Sequence, residues 1–254
     1  MLTQAEIELF AEQGYLTGLP LCSADEMAAV RPLLDSALGD GVNRDAATLH
    51  RHLDLRAAYE LASHPAIVER VASLLGPDIL LWHSRFFDKP PGEPPIPWHQ
   101  DAPFWRLDPM ECVSAWIAID ATGPHNGCME VIPGSHRNPL PHTLSKGTGR
   151  FGIRTKIGQA DESRAVAISL EPGQFLLFDR WLLHRSEMNR SSRPRVGLSV
   201  RYTTPQVRVD CSRFPDRDPA YGVHLVRGED RFGYNPIAPV PIGGGQVAIS
   251  PRRS

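Results

Sequence analysis

The sequence predicts an α+β domain in which a helical N-terminal part braces one face of a β-sandwich. Three observations carry this. Up to about residue 75, capping boxes precede apolar residues at helical spacing. Beyond Pro77 the apolar runs shorten and read as strands. The 24 prolines and 21 glycines cluster at Pro90–Pro97, Pro133-Gly134 and Pro139–Pro141, punctuation that suits short strands joined by turns and argues against a helical bundle.

The elements follow in order. Thr3 and Glu6 have the spacing of a capping box, Ile7, Phe10 and Ala11 recur on one face, and Gly14 can end that helix. Ser23 and Glu26 repeat the cap before Met27, Val30, Leu33 and Leu34. A third helix runs through Leu55, Tyr59 and Leu61, and a fourth starts at His64-Pro65 and carries Ile67, Val68, Val71 and Leu74 to Gly76. Strands are expected at Ile79–Phe87, Val113–Ile119, Phe175–Phe178 and Val196–Tyr202, the third following the turn signal Pro172-Gly173. The chain divides into a mainly helical part over 1–76, a core over 77–205 and a C-terminal extension or lid over 206–254, all within a single domain.

The 254 residues can bury a sizeable core without staples. Lys plus Arg total 27 against 29 Asp plus Glu, a net charge of −2, so no basic excess draws the chain to nucleic acid or an anionic membrane. A small-molecule partner is expected. Cys22, Cys112, Cys128 and Cys211 form no Cys-x-x-Cys pair and read as reduced thiols of a cytoplasmic protein. The N-terminus lacks the basic and apolar regions of a signal peptide, and no apolar stretch reaches the length of a membrane span.

An iron(II) site with open positions needs two imidazoles and one carboxylate on one face of the metal. His99-Gln100-Asp101 has the i, i+2 spacing that puts two side chains on the same face of a strand. The Pro-rich approach Pro94–Pro97 favours extended chain, and Trp98 is expected to supply an apolar wall. A second such pair, His52-Leu53-Asp54, falls in a helical segment where residues two apart diverge, so both are read as exposed helix residues. The third ligand must come from elsewhere, and His184, at the end of an apolar run, is the best candidate. Ser186 would share its face. Arg195, at the start of the next strand, would meet the same cavity across a hairpin, where its guanidinium could grip a carboxylate through two parallel hydrogen bonds.

Trp98-His99-Gln100-Asp101, Asn126-Gly127-Cys128-Met129, Val131–His136 and His184-Arg185-Ser186 with Arg195 together resemble the phytanoyl-CoA dioxygenase family of iron(II)/2-oxoglutarate oxygenases, which includes ectoine hydroxylase. The resemblance extends over about residues 2–204. It implies a double-stranded β-helix, the jelly-roll or cupin-like barrel. It implies His99, Asp101 and His184 as iron ligands, and Arg195 and Ser186 as binders of the far carboxylate of 2-oxoglutarate. Trp116 would lie against that co-substrate, with a core tryptophan as the alternative. Asn126 and Pro133–His136 would shape turns, and His136 would not be a ligand.

The reaction so implied consumes 2-oxoglutarate and O2, releases succinate and carbon dioxide, and hydroxylates an unactivated C–H bond of a small metabolite or biosynthetic intermediate. Related halogenating enzymes replace the carboxylate ligand with a small residue, so Asp101 points to hydroxylation or a related oxidation. For the substrate, the strand over Trp82–Lys89 offers one of two alternating sets, Trp82, Ser84 and Phe86 or His83, Arg85 and Phe87. Phe104, Trp105 and Arg106 could line the mouth. Arg201, on the same face as Arg195, could bind an anionic substrate or pair with a core carboxylate. Two rival readings are a cupin-like metalloenzyme without 2-oxoglutarate and a non-catalytic jelly-roll binding protein.

Overall fold

The computed structural model describes residues 1–38, 48–141, 161–210 and 221–244. Cys211 and parts of the extension over 206–254 lie outside the described residues; the other three cysteines are buried and outside any disulfide.

Helix α1 (Gln4–Gln13) begins as its capping box predicts, with the Glu6 amide donating to Thr3 Oγ1 at 3.3 Å and the Thr3 amide to Glu6 Oε2 at 2.7 Å. It ends at Gly14, whose φ of +83° is open to glycine at little cost. Strand β1 (Tyr15–Pro20) follows, then α2 (Ala24–Leu38), capped by the Ser23–Glu26 box. A 3₁₀ turn at Arg51–Leu53 leads to α3 (Arg56–Ala62) and α4 (Pro65–Leu75). None of the helices in the described residues is long and apolar enough to cross a membrane.

The strands are β2 (Ile79–Lys89), β3 (Ile96–His99), β4 (Leu107–Asp108), β5 (Val113–Ala118), β6 (Met129–Val131), β7 (Val166–Ala167), β8 (Gln174–Asp179), β9 (His184–Ser186), β10 (Arg195–Thr203), β11 (Arg208–Val209) and β12 (His224–Arg227). A major sheet in the order β1-β8-β5-β10-β2-β12 packs over a minor sheet in the order β3-β9-β6-β7, and β11 pairs with β4 in a short ribbon. This is the jelly-roll expected. On one face of the major sheet, Ile79, Leu81, Phe86, Phe175, Leu198 and Val200 form a continuous core with Leu34, Leu61, Ile67 and Val71 of the helices. Truncating a side chain such as the fully buried Phe175 to Ala in such a core costs about 3–5 kcal/mol. The opposite face, through Trp116, Leu176 and Phe178, meets Val131 and Leu182 on the minor-sheet side.

Four features differ from the sequence reading. The major sheet takes an edge strand from each flanking part, β1 pairing with β8 and β12 with β2, so helical N-terminal part and C-terminal extension both contribute to the barrel. Strands β9 and β10 lie in different sheets, so Arg195 reaches the cavity from across the sandwich and not through a hairpin. His52 is fully buried, its Nδ1 2.7 Å from Ser84 Oγ, while Asp54 is exposed as expected. Trp98 points away from the cavity into a cluster with Ile132 and Leu183, with the Arg185 guanidinium 4.7 Å from its ring, because it alternates with His99 along β3.

Candidate metal centre

His99 is the last residue of β3 and pairs with His184, the first residue of β9, so the sheet register itself brings the two imidazoles together. Their ring centroids are 4.1 Å apart. Each Nδ1 lies at hydrogen-bond distance from a backbone carbonyl two residues upstream, His99 from Pro97 O at 2.8 Å and His184 from Leu182 O at 2.9 Å. An Nδ1–H donated to a carbonyl leaves the Nε2 lone pair for a metal. Both Nε2 atoms face Asp101 Oδ1, at 3.6 and 3.8 Å.

Asp101 does not reach this point as the sequence reading expected. It lies beyond the end of β3, in helical backbone conformation at the start of a 3₁₀ turn over Ala102–Phe104. Flanking bonds hold the bend. Gln100 Nε2 donates to Trp181 O at 2.6 Å, Gln100 Oε1 accepts from the Leu140 amide at 2.9 Å, and the Ala102 amide donates to Arg180 O at 3.0 Å. Among the described residues, His99, Asp101 and His184 form the one group of three or more His, Cys, Asp or Glu side chains placed to hold a metal ion.

The electrostatics suit a cation. Burial, reinforced by the neighbouring His184 and opposed by Asp101, pushes the His99 imidazole down to about 4, so it is neutral at ordinary pH. Burial alone would raise the Asp101 carboxyl, but the Arg201 guanidinium and the two imidazoles outweigh it and hold the group below the usual range.

Two chambers meet at the triad, and Phe87, Ile96 and Arg201 line both. The inner chamber, about 600 Å³ with its open mouth, is lined by Trp116, Ser186, Arg195 and Lys89. The outer chamber, about 1120 Å³ on the same measure, is lined by Trp82, His83, Phe104, Trp105 and Arg106.

In the inner chamber Arg195 is buried and lies 5.3 Å from the Trp116 ring. Its Nη2 donates to Gly127 O at 2.6 Å, while its buried Nε has no hydrogen-bond partner and no carboxylate among the described residues pairs with it. Burial depresses this guanidinium to about 10. Lys89, directly across the β10–β2 ladder from Arg195, is also buried and donates to Ser186 Oγ at 3.0 Å and Pro94 O at 3.2 Å. Burial and then the charge of Arg195 lower its ammonium to about 8. Two cations without a carboxylate partner call for an anion from outside the protein.

The outer chamber resolves the choice on β2. A register shift opposite Arg201/Tyr202 leaves Trp82 without a partner between Leu81 and His83, so Trp82 and His83 both line the chamber. Strict alternation fails there, and the set His83, Arg85, Phe87 continues to Lys89. Phe104, Trp105 and Arg106 line the chamber. Arg201 does so as well, with its Nη2 3.1 Å from Asp101 Oδ2. Asn126 shapes a turn, its Oδ1 accepting from the Gly123 amide at 2.8 Å, and His136 bonds Ala11 O at 3.2 Å and does not join the triad.

Sequence reasoning missed Lys89, Gln100 and Gly197. Parity with Phe87 along β2 was the available signal for Lys89. Gly197 carried none, since its role depends on the neighbouring strand: a Cβ there would collide with the Trp116 ring.

The sequence matches the phytanoyl-CoA dioxygenase (PhyH) family profile over residues 10–197. The chain belongs to the phytanoyl-CoA dioxygenase family. Rat peroxisomal phytanoyl-CoA dioxygenase is 34% identical over 146 residues, 54% of this chain and 43% of the relative, so the chain spans about two fifths of that protein's length in the match. Among solved structures, apo ThoJ, a non-heme monooxygenase, is similar with 27% identity and a TM-score of 0.79, covering 94% of this chain and 89% of that one. CytC3 with Fe(II) and alpha-ketoglutarate is similar with 25% identity and a TM-score of 0.74, covering 97% and 98%.

Proposed function

We propose that this member of the phytanoyl-CoA dioxygenase family is an iron(II)- and 2-oxoglutarate-dependent oxygenase that hydroxylates a small metabolite or biosynthetic intermediate. One observation carries the reading: two Nε2 atoms and one carboxylate oxygen face a common point, across a chamber from a buried arginine lacking an acidic partner. The donor set, two imidazole nitrogens and one carboxylate oxygen, suits iron(II) with open positions. The similar CytC3 structure holds Fe(II) and alpha-ketoglutarate.

In this reading His99, Asp101 and His184 hold the metal. Arg195, Ser186 and Lys89 bind the far carboxylate of 2-oxoglutarate, and Trp116 closes one wall of its chamber. Lys89 donates to Ser186 Oγ and thereby turns the hydroxyl proton of Ser186 toward the bound anion. The metal, with 2-oxoglutarate and O2, supplies the oxidising power and yields succinate and carbon dioxide. The chain contributes position and exclusion: Trp82, His83, Phe104 and Trp105 would hold the substrate in the outer chamber beside the triad. With Asp101 present as a ligand, no coordination position is given up to a halide, which supports hydroxylation as the outcome.

The test is a screen of candidate metabolites with iron(II), 2-oxoglutarate and O2, following succinate and the mass of the candidate. Oxygen- and iron-dependent succinate release, with one metabolite gaining a single oxygen atom, is the expected result. Absence of any iron-dependent 2-oxoglutarate turnover, coupled or uncoupled, would overturn the reading.

A further inference from the structure

We infer that Arg201 is a positioning residue of the metal centre, holding Asp101 so that one carboxylate oxygen faces the two imidazoles and the other is turned away from them. The inference rests on the metal-binding reading of the triad and adds to it a residue that does not touch the metal.

The need arises from where Asp101 sits. His99 and His184 are held within a sheet ladder, and each has its own Nδ1 anchor. Asp101 lies past the strand end, and although Gln100 and Ala102 pin its backbone, neither touches its carboxylate. Among the described residues, Arg201 supplies the one hydrogen bond to that carboxylate, Nη2 to Oδ2 at 3.1 Å. Oδ1, left free, is the atom that faces both Nε2 atoms.

Arg201 is itself fixed. It is buried on β10, its guanidinium lies 5.0 Å from the Trp105 ring, and its Nη1 is 3.3 Å from His83 Nδ1. Burial, with His50 and Arg201 nearby, holds the His83 imidazole well below its ordinary value, so a neutral ring can accept from the guanidinium. An arginine clamped on two sides fixes the carboxylate as a one-oxygen ligand. A carboxylate free to rotate could bind through both oxygens and occupy a further position on the metal, one that a chelating co-substrate or O2 would otherwise use. The same clamp places the charge of Arg201 on Asp101 and not on an incoming substrate.

The experiment uses full-length protein loaded with cobalt(II), without 2-oxoglutarate and without O2, and reads cobalt affinity and the visible ligand-field spectrum. Wild type and His184→Ala test the underlying reading: wild type binds one cobalt(II) per chain and His184→Ala loses it. Failure of that pair overturns the triad itself, separately from the inference about Arg201. Given that pair, Arg201→Met should raise the cobalt(II) Kd about 10- to 100-fold, as loss of a partner to a ligating group does, and alter the spectrum. Arg201→Lys, which keeps the charge but not the planar fork, should shift both in the same direction by less, and carries the test alone should the Met variant not fold. A Kd within twofold of wild type with an unchanged spectrum in the folded variants overturns the inference, and if only a substrate KM then moves, Arg201 is a substrate residue.

Discussion

Arg195 and Lys89 lie directly opposite one another on β10 and β2, both buried and both lining the inner chamber, with the Ser186 hydroxyl bonded to the lysine. Two adjacent buried cations repel, and burial disfavours each charge. A dianionic co-substrate relieves both costs, so this pair should be worth more with 2-oxoglutarate bound than without it.

Replacing Arg195 by Leu removes the proposed charge-assisted contact to 2-oxoglutarate, worth about 1.5–3 kcal/mol. The expected result is a rise of roughly 10- to 150-fold in the 2-oxoglutarate requirement, with cobalt(II) affinity unchanged. Steady-state KM for 2-oxoglutarate, with a direct metal titration beside it, checks both halves.

The lysine gives a pH dependence with a definite sign. Its folded value of about 8 lies below the ordinary lysine value of 10.5, so between the two the unfolded chain holds a proton that the folded chain has released. Stability of the ligand-free protein therefore rises with pH through that window, and the gain is lost as pH falls through about 8. Binding of 2-oxoglutarate runs the other way, because the anion needs the ammonium: its Kd should rise as pH climbs above about 8, and Lys89→Met should flatten that rise. Titration calorimetry across the pH range reads it.

Gly197→Ala tests the wall of the chamber. A Cβ at this position collides with the Trp116 ring, which must move. The expected loss of stability is about 1–3 kcal/mol, accompanied by a raised KM for 2-oxoglutarate while metal affinity holds. Thermal unfolding and the same kinetic assay separate the two effects.

Asp101→Ala removes the carboxylate proposed to hold the metal and should abolish iron-dependent succinate formation. The variant also leaves Arg201 buried without its carboxylate, so a lowered melting temperature is expected even before metal is added. Full activity in this variant would remove Asp101 from the ligand set.

Much of this site was legible in the sequence because local rules suffice for its parts. The caps at Thr3 and Ser23 need only neighbours three residues away, and parity along β10 put Arg195 and Arg201 on one face. What was not legible depends on partners distant in sequence. The shift that brings Trp82 and His83 to one face exists only against β10, and strands β1 and β12 become strands by pairing with β8 and β2. Asp101 joins the two histidines by another geometry than expected: i, i+2 spacing suggested a shared strand, whereas a bend held by Gln100 delivers the carboxylate. Arg195 likewise enters from the sheet opposite His184, which no spacing of eleven residues could reveal.

The most direct measurement is an anaerobic titration of 2-oxoglutarate into the iron(II)-loaded protein, followed by the visible charge-transfer absorption that a keto acid gives when it chelates ferrous iron. Wild type should develop the band and saturate at one equivalent, His184→Ala should show none, and Arg195→Leu should need far more 2-oxoglutarate to reach the same intensity. A wild-type protein without the band, or equal titrations for all three proteins, would contradict the account.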